Sequence, residues 1–406
     1  MFLELTPRTP AGAHLCALAG ELAEEFAAHA AAHDRDGSYP HEGVAALRDA
    51  GYFAAPIPAE LGGLGVDSVF DLIVASSILA RGDASVAIGV NMHLIGVTNI
   101  ARRWRMAVAS ERHRSADALA DSMREIVEQR SVFSAAISES QQDLLRPSTT
   151  ATPVDGGWRI DGRKIFCTMS PAATELYTSV RYVDHKGIER YGYVFIPVDA
   201  PGLTVHDDWD AMGMRASGSN SVSLDGVVVP ESAVRGGFPT GDATGYMERN
   251  LAAGLFHAAA SLGVAEAAHQ HALDGVKPNG HGPSVSTQGL VADSAIELSA
   301  CRAALGRAAA LIDQHQAANP RSHGTPEELL VLFSEAQAVK TFVNETAVRL
   351  VDRSLTLAGG RGYLNGHPIA RAYRDVRASA FMNPLASGRA HEFLGQVALG
   401  MRASFG

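Results

Sequence analysis

The chain has 406 residues, 46% hydrophobic and 19% charged, with a formal net charge of −10. That length divides among two or three subdomains rather than wrapping round one core, and the composition excludes a disordered polyelectrolyte. The acidic balance argues against a broad nucleic-acid surface, which needs clustered Lys and Arg.

No apolar run in the sequence reaches the roughly 18 residues of a membrane span. The opening MFLELTPRTPAGAH lacks the basic-then-apolar layout of a secretory signal. Cys16, Cys167 and Cys301 are scattered, without a pair or a metal-ligand spacing, as free thiols in a reducing compartment are. The expectation is a cytoplasmic protein with no metal, no membrane and no nucleic-acid partner.

From Ala11 to about Val127 the chain is rich in Ala and Leu, and Leu18, Leu22 and Phe26 recur as a buried helix face would. A helix is expected from His41 to Gly51. The run from Pro56 to Gly65 holds too much Pro and Gly for regular structure, and helices resume at Asp67–Ala80 and Ala84–Trp104. Between Ser131 and Val229 the period changes. Short β-rich runs at Trp158–Ile160, Tyr191–Ile196, Leu203–Val205 and Val222–Leu224 are separated by Asp-Gly and Pro-Gly turns, as in a small barrel or sandwich. Long Ala/Leu-periodic segments follow at Ala252–Leu273, Gln288–Ala317 and Pro326–Leu357, as in a helical bundle. The boundaries drawn are 1–130, 131–240 and 241–406.

Near the C-terminus comes Gly359-Gly360-Arg361-Gly362-Tyr363, then Arg371, Arg374 and Arg377, with Asp375 beside Arg374. A glycine turn ahead of a basic helix is common by itself. Together with the order helices, β-domain, helices, and with Pro56–Gly65 after Gly51-Tyr52, it resembles the acyl-CoA dehydrogenase superfamily over nearly the whole chain. The resemblance implies a mainly α fold with a β-domain in the middle: an N-terminal helical domain, a central β-barrel and a C-terminal four-helix bundle. It also implies a flavin cofactor, FAD or reduced FMN or FAD supplied by a partner reductase. A homotetramer, or at least a homodimer, that shares its cofactor sites is implied too.

Several positions match the family's flavin contacts. Lys164-Ile165-Phe166-Cys167-Thr168 is similar to the strand that lies along the flavin, Phe166 giving a stacking face and Thr168 a donor near N5. The bland alternative is an ordinary strand with Phe166 inward and Thr168 outward. Ala136-Ile137-Ser138-Glu139 resembles the segment before the flavin-contacting loop, but the glycines that usually follow are replaced by Ser140-Gln-Gln-Asp-Leu-Leu-Arg-Pro147. Trp209 to Ser219 resembles the turn before the last β-strands, where its hydroxyls serve equally well as turn caps. Gln288 fits a cofactor-binding glutamine, and Lys277 falls near the slot of an arginine that grips the flavin pyrophosphate of the neighbouring subunit, though without the Phe-Gly beside it Lys277 reads equally as a solvated loop residue. Gly359 and Gly360 complete the expected cofactor set.

The family's base is missing. The usual glutamate lies nine residues after the Arg of the Arg-Asp pair, which here is Asn383, and the alternative lies ten before a helix glycine, which counting back from Gly263 is Ala253. Neither takes up a proton near neutral pH. Glu248, His257, His391 or Glu392 would serve only under a shifted register. His93, on an apolar helix, reads as a satisfied core residue. An empty base slot favours the superfamily's oxygenases, which take reduced flavin from a reductase and need donors near it, with Thr168, Ser138 and Asn383 as candidates. The alternative is dehydrogenation of an acyl-CoA or acyl-carrier-protein thioester with a relocated base and an electron-transfer flavoprotein. A third reading is a catalytically dead flavin-binding homologue. No motif names the small-molecule substrate.

Overall fold

The computed structural model describes residues 4–140, 143–276 and 283–405. Five helices come first: α1 (Pro10–Asp36), α2 (His41–Asp49), α3 (Val69–Gly82), α4 (Ala84–Ala109) and α5 (His113–Val127). Local chemistry sets their ends. Thr9 caps α1 through Gly12 N, with Pro10 in the first turn, and Ser68 caps α3 through Asp71 N, so this helix starts two residues later than Asp67. Asp83 accepts from Ser85 N and Val86 N at the head of α4, and α4 runs past Trp104 to Ala109.

Eight strands follow: β1 (Phe133–Ala136), β2 (Thr150–Val154), β3 (Gly157–Cys167), β4 (Glu175–Val183), β5 (Glu189–Pro197), β6 (Leu203–Val205), β7 (Asn220–Pro230) and β8 (Arg235–Pro239). They form one sheet in the order β6-β7-β3-β2-β4-β5-β8, with β1 added parallel to β4. The expected barrel takes the form of this single sheet, with β6 and β8 at the ends of the order. It has a core of its own, built on Ile160, Leu176, Val194, Ile196, Val222 and Val227.

The C-terminal half holds α6 (Thr244–Asn250), α7 (Ala253–Gly275), α8 (Val285–Ala318), α9 (Pro326–Ala358), α10 (Pro368–Asp375) and α11 (Ser387–Ala398). Helices α7, α8 and α9 pack on one another and α11 packs on α9. The N-terminal helices join this bundle: α3 lies on α7, and Glu266 of α7 pairs with Arg81 of α3 (2.7 Å) and Arg302 of α8 (2.7 Å). One apolar core therefore runs through both helical parts. Helix α4 and the stretch Thr244–Gly275 are long and apolar enough to cross a membrane by composition, contrary to the reading of the sequence. Most of that apolar surface is buried inside the fold, which accounts for it.

Candidate active site

A cavity of about 320 Å³ opens where α4, the sheet and the C-terminal helices meet. Its floor is set by β3. The ladder between β3 and β7 slips between Lys164 and Cys167, and Phe166 sits at φ +55, a conformation costly for a bulky side chain. The slip turns the ring outward, 54% exposed, against the edge of Trp209 at 6.0 Å. Thr168 is buried and faces the cavity. The ordinary-strand alternative, Phe166 inward and Thr168 outward, is reversed. Met169 (φ +67) and Met214 (φ +48) share the left-handed region, so three strained residues crowd this one site.

Hydroxyls line the same wall. Thr168 Oγ1 lies 2.9 Å from Ser219 Oγ, which lies 2.7 Å from Ser217 Oγ. The hydroxyls of the 209–219 turn thus reach the cavity and are not merely turn caps. Opposite them, the segment after α10 brings in Met382, Asn383 and Pro384, and Asn383 Nδ2 donates to Ser138 Oγ at 2.9 Å. Two buried contacts fasten the walls together. Asp375 Oδ1 accepts from Met214 N at 2.5 Å, and a Cβ on Gly213 would lie 2.2 Å from Arg374 O, so only glycine lets the 209–219 turn meet α10. Arg374 binds Asp34 in a two-pronged pair, a structural duty that its place in a basic run did not disclose.

The cavity unites Ile137, Ser138, Phe166, Thr168 and Asn383. Gln288 is exposed on α8 and donates to Pro283 O; Gly359, at φ +62, and Gly360 form the exposed turn that ends α9. Within one chain these three stand outside the cavity. Lys277 lies outside the described residues. Sequence reasoning missed a set on the deeper wall: Tyr177 and Tyr193 stack at 5.1 Å, and Arg249 lies 4.2 Å over Tyr193 and donates to Tyr177 Oη at 3.2 Å. The signal for Arg249 was a lone arginine at the head of the apolar run that becomes α7.

Motif residues beside the cavity are structural. Glu139 accepts from Lys164 Nζ (2.7 Å), Ser148 N (2.7 Å), Thr149 N (2.9 Å) and Thr149 Oγ1 (2.7 Å). Burial pushes its carboxyl up, but Lys164 and these donors hold it down at about 2. His93 is satisfied as read: Nε2 donates to Phe53 O and Nδ1 accepts from Phe133 N. Burial pushes its imidazole down to about 3, so it is neutral.

Three family models of acyl-CoA dehydrogenases match the chain: the N-terminal domain over residues 16–104, the middle domain over 134–227 and the C-terminal domain over 246–383. The chain belongs to the acyl-CoA dehydrogenase family. It is a flavin-dependent oxidoreductase of that fold. It is 32% identical to the amino sugar nitrososynthase DnmZ of Streptomyces peucetius over 97% of this chain and 95% of that one. It is 31% identical to the putative acyl-CoA dehydrogenase YdbM of Bacillus subtilis over 93% and 95%. The structure of KijD3 in complex with FMN and dTDP-3-amino-2,3,6-trideoxy-4-keto-3-methyl-D-glucose superposes with a TM-score of 0.88 at 32% identity, covering 99% of this chain and 97% of the other.

For this family member the residues fit a flavin. Phe166 (half-exposed beside Trp209), Met212 (61% exposed) and Phe381 (77%) offer exposed apolar surface at the cavity, and Thr168 and Ser138 offer donors beside them. Both family base slots, Asn383 and Ala253, face the cavity. No carboxylate lines it among the described residues. Of the four substitutes, Glu248 faces a neighbouring hollow, His391 and Glu392 are exposed on α11, and only His257 reaches the cavity. His257 Nδ1 is buried with no hydrogen-bond partner among the described residues. Burial, reinforced by Lys340, pushes its imidazole down to about 3.

Proposed function

We propose that this chain is a two-component flavin monooxygenase that oxidises the nitrogen of an amino sugar carried on a nucleotide. Nitrososynthase and dehydrogenase relatives stand at nearly the same identity, so the choice falls to the cavity. The carrying observation is its lack of a carboxylate. Dehydrogenation of a thioester requires a base within hydrogen-bond reach of the α-proton. Asn383 supplies none, and a His257 held neutral down to about pH 3 is a feeble one.

The same wall suits an amine. Arg374 is answered by Asp34, but Arg249 and Arg377 line the cavity with no acid among its described lining residues to offset them. Their field disfavours an ammonium ion and keeps the amine neutral, with its lone pair free to attack. Bound reduced flavin supplies two electrons and activates dioxygen, one atom of which goes to nitrogen and the other leaves as water. The protein's share is positioning. Phe166 and Trp209 give the ring system a face, Asn383 holds Ser138 as a donor, and the Thr168–Ser219–Ser217 chain carries a proton along its hydroxyls.

The reading includes a cytoplasmic location, a separate flavin reductase and a homotetramer. Val285, Ile296, Val331 and Phe342 are exposed apolar residues on α8 and α9, as a face for a second copy would be. In such an assembly Gln288, Gly359 and Gly360 would meet a neighbour's cofactor. The test has two arms. Reduced flavin, oxygen and a panel of nucleotide-linked amino sugars should yield hydroxylamine or nitroso products. Under anaerobic conditions, acyl-CoAs should leave oxidised flavin unbleached, and bleaching by a thioester would overturn the reading.

A further inference from the structure

Beside the first cavity lies a second, of about 270 Å³. Asn99 and Arg249 line both, so the two hollows share a wall. Their chemistry differs. The second receives Arg103 from α4, Arg112 from the residue before α5, Arg249 from α6 and His323 from the α8–α9 connection. One carboxylate answers them among the described lining residues, Glu248, whose Oε2 is 4.0 Å from His323 Nε2.

Three guanidiniums share the hollow with one acid among its described lining residues, and burial pushes the Glu248 carboxyl up, weakening even that counter-charge. Helix α5 starts at its rim without a side-chain cap, which adds free N–H groups of the same sign. The planar guanidinium fork matches phosphate oxygens two at a time. Phe166, Thr168 and Trp209, the residues that fit the flavin ring, do not line this hollow.

We propose that the second cavity holds the phosphate or diphosphate group of the substrate whose reacting end occupies the first. The proposal rests on the reading of the first cavity as the oxidation site, and Arg249 is the hinge between the two. Phosphate could equally come from the flavin, and the experiment separates the sources.

The measurement is calorimetric binding of inorganic pyrophosphate to the flavin-loaded protein at low ionic strength. Wild type should bind it, Arg112→Gln should weaken binding about tenfold, and Glu248→Gln should tighten it severalfold. Opposite signs from two substitutions in one cavity cannot come from misfolding. With a phosphorylated amine, Arg112→Gln should raise KM and leave kcat at saturation unchanged. Absence of pyrophosphate binding, identical binding in both variants, or displacement of pyrophosphate by FMN would overturn the proposal. Amine oxidation assayed on the same preparations keeps the two readings apart. Pyrophosphate binding without amine oxidation would sink the oxidation reading alone. Oxidation of bare and phosphorylated amines with equal KM, and no pyrophosphate binding, would sink this one alone.

Discussion

Asn383 and Ser138 stand 245 residues apart in sequence, and a 2.9 Å hydrogen bond from Asn383 Nδ2 to Ser138 Oγ joins them across the cavity. The bond ties the loop after α10 to the end of β1, so it fixes both walls against which substrate and flavin would be held. A hydrogen bond of this kind contributes about 1 kcal/mol net. Asn383→Ala and Ser138→Ala should each lower kcat/KM for amine oxidation about fivefold or more. Because they remove the same contact, the double variant should be scarcely worse than either single one. Strictly additive losses in this cycle would show that the bond does not organise the site.

Much of this was legible in the sequence, and the exceptions have physical reasons. Ser138, Phe166, Thr168 and Asn383 were found through local motifs, and all four line the cavity. The long helices followed from their 3.6-residue pattern, while the Thr325 capping box at the head of α9 went unread. Strands β1, β2, β4 and β8 went unread. β2 carries Pro153 and exposes its last three residues, and β1 has four residues, too few for an alternation to register. The Tyr177–Tyr193–Arg249 stack is a meeting of two strands and a helix, and no local pattern announces such a contact. Gln288 and the Gly359 turn were matched by motif, yet they lie outside their own chain's cavity.

Phe166 separates stability from function. Its φ of +55 is strained for an aromatic residue, and its half-exposed ring recovers little through burial. Asparagine tolerates the left-handed region far better. Phe166→Asn should therefore raise the melting temperature of the flavin-free protein, by an amount equivalent to about 1 kcal/mol. It should also weaken flavin binding about tenfold by removing the stacking face. A fall in melting temperature would mean that the ring packs more in solution than its exposure indicates.

The buried pair of Glu139 and Lys164 predicts an asymmetric response to mutation. Lys164 is fully buried, and its ammonium also donates to Ser179 O at 3.0 Å. Lys164→Met alone should cost about 3–5 kcal/mol, because it strands a buried carboxylate. Lys164→Met combined with Glu139→Gln should recover part of that loss in chemical denaturation. The sign with pH also follows. Glu139 titrates at about 2 in the folded chain against an ordinary value of 4.5. Its contribution is present above 4.5 and is lost as pH falls through 2. A double variant no more stable than Lys164→Met would contradict the pairing.

Asp375 should act in the opposite direction. It is 4% exposed, and burial pushes its carboxyl up from 3.8 to about 7, against the Met214 N–H bond and Arg371, which pull it down, while Asp83 and Asp34 add to the rise. A group whose folded pKa is raised binds its proton more tightly in the folded state. Stability is therefore greatest below pH 3.8 for this group and declines as pH rises from 3.8 to about 7. Asp375→Asn copies the protonated acid in shape and keeps an oxygen for Met214 N. Wild type should lose stability relative to this variant across that window, and at pH 8 the variant should exceed wild type, by an amount on the order of a few kcal/mol. The check is urea unfolding at a series of pH values for both proteins, with each curve corrected for Glu139 by the same measurement on the Lys164→Met, Glu139→Gln variant. Parallel curves between pH 4 and 7 would show that Asp375 is ionised in the folded chain, and the tie between the 209–219 turn and α10 would then be a charge-assisted one.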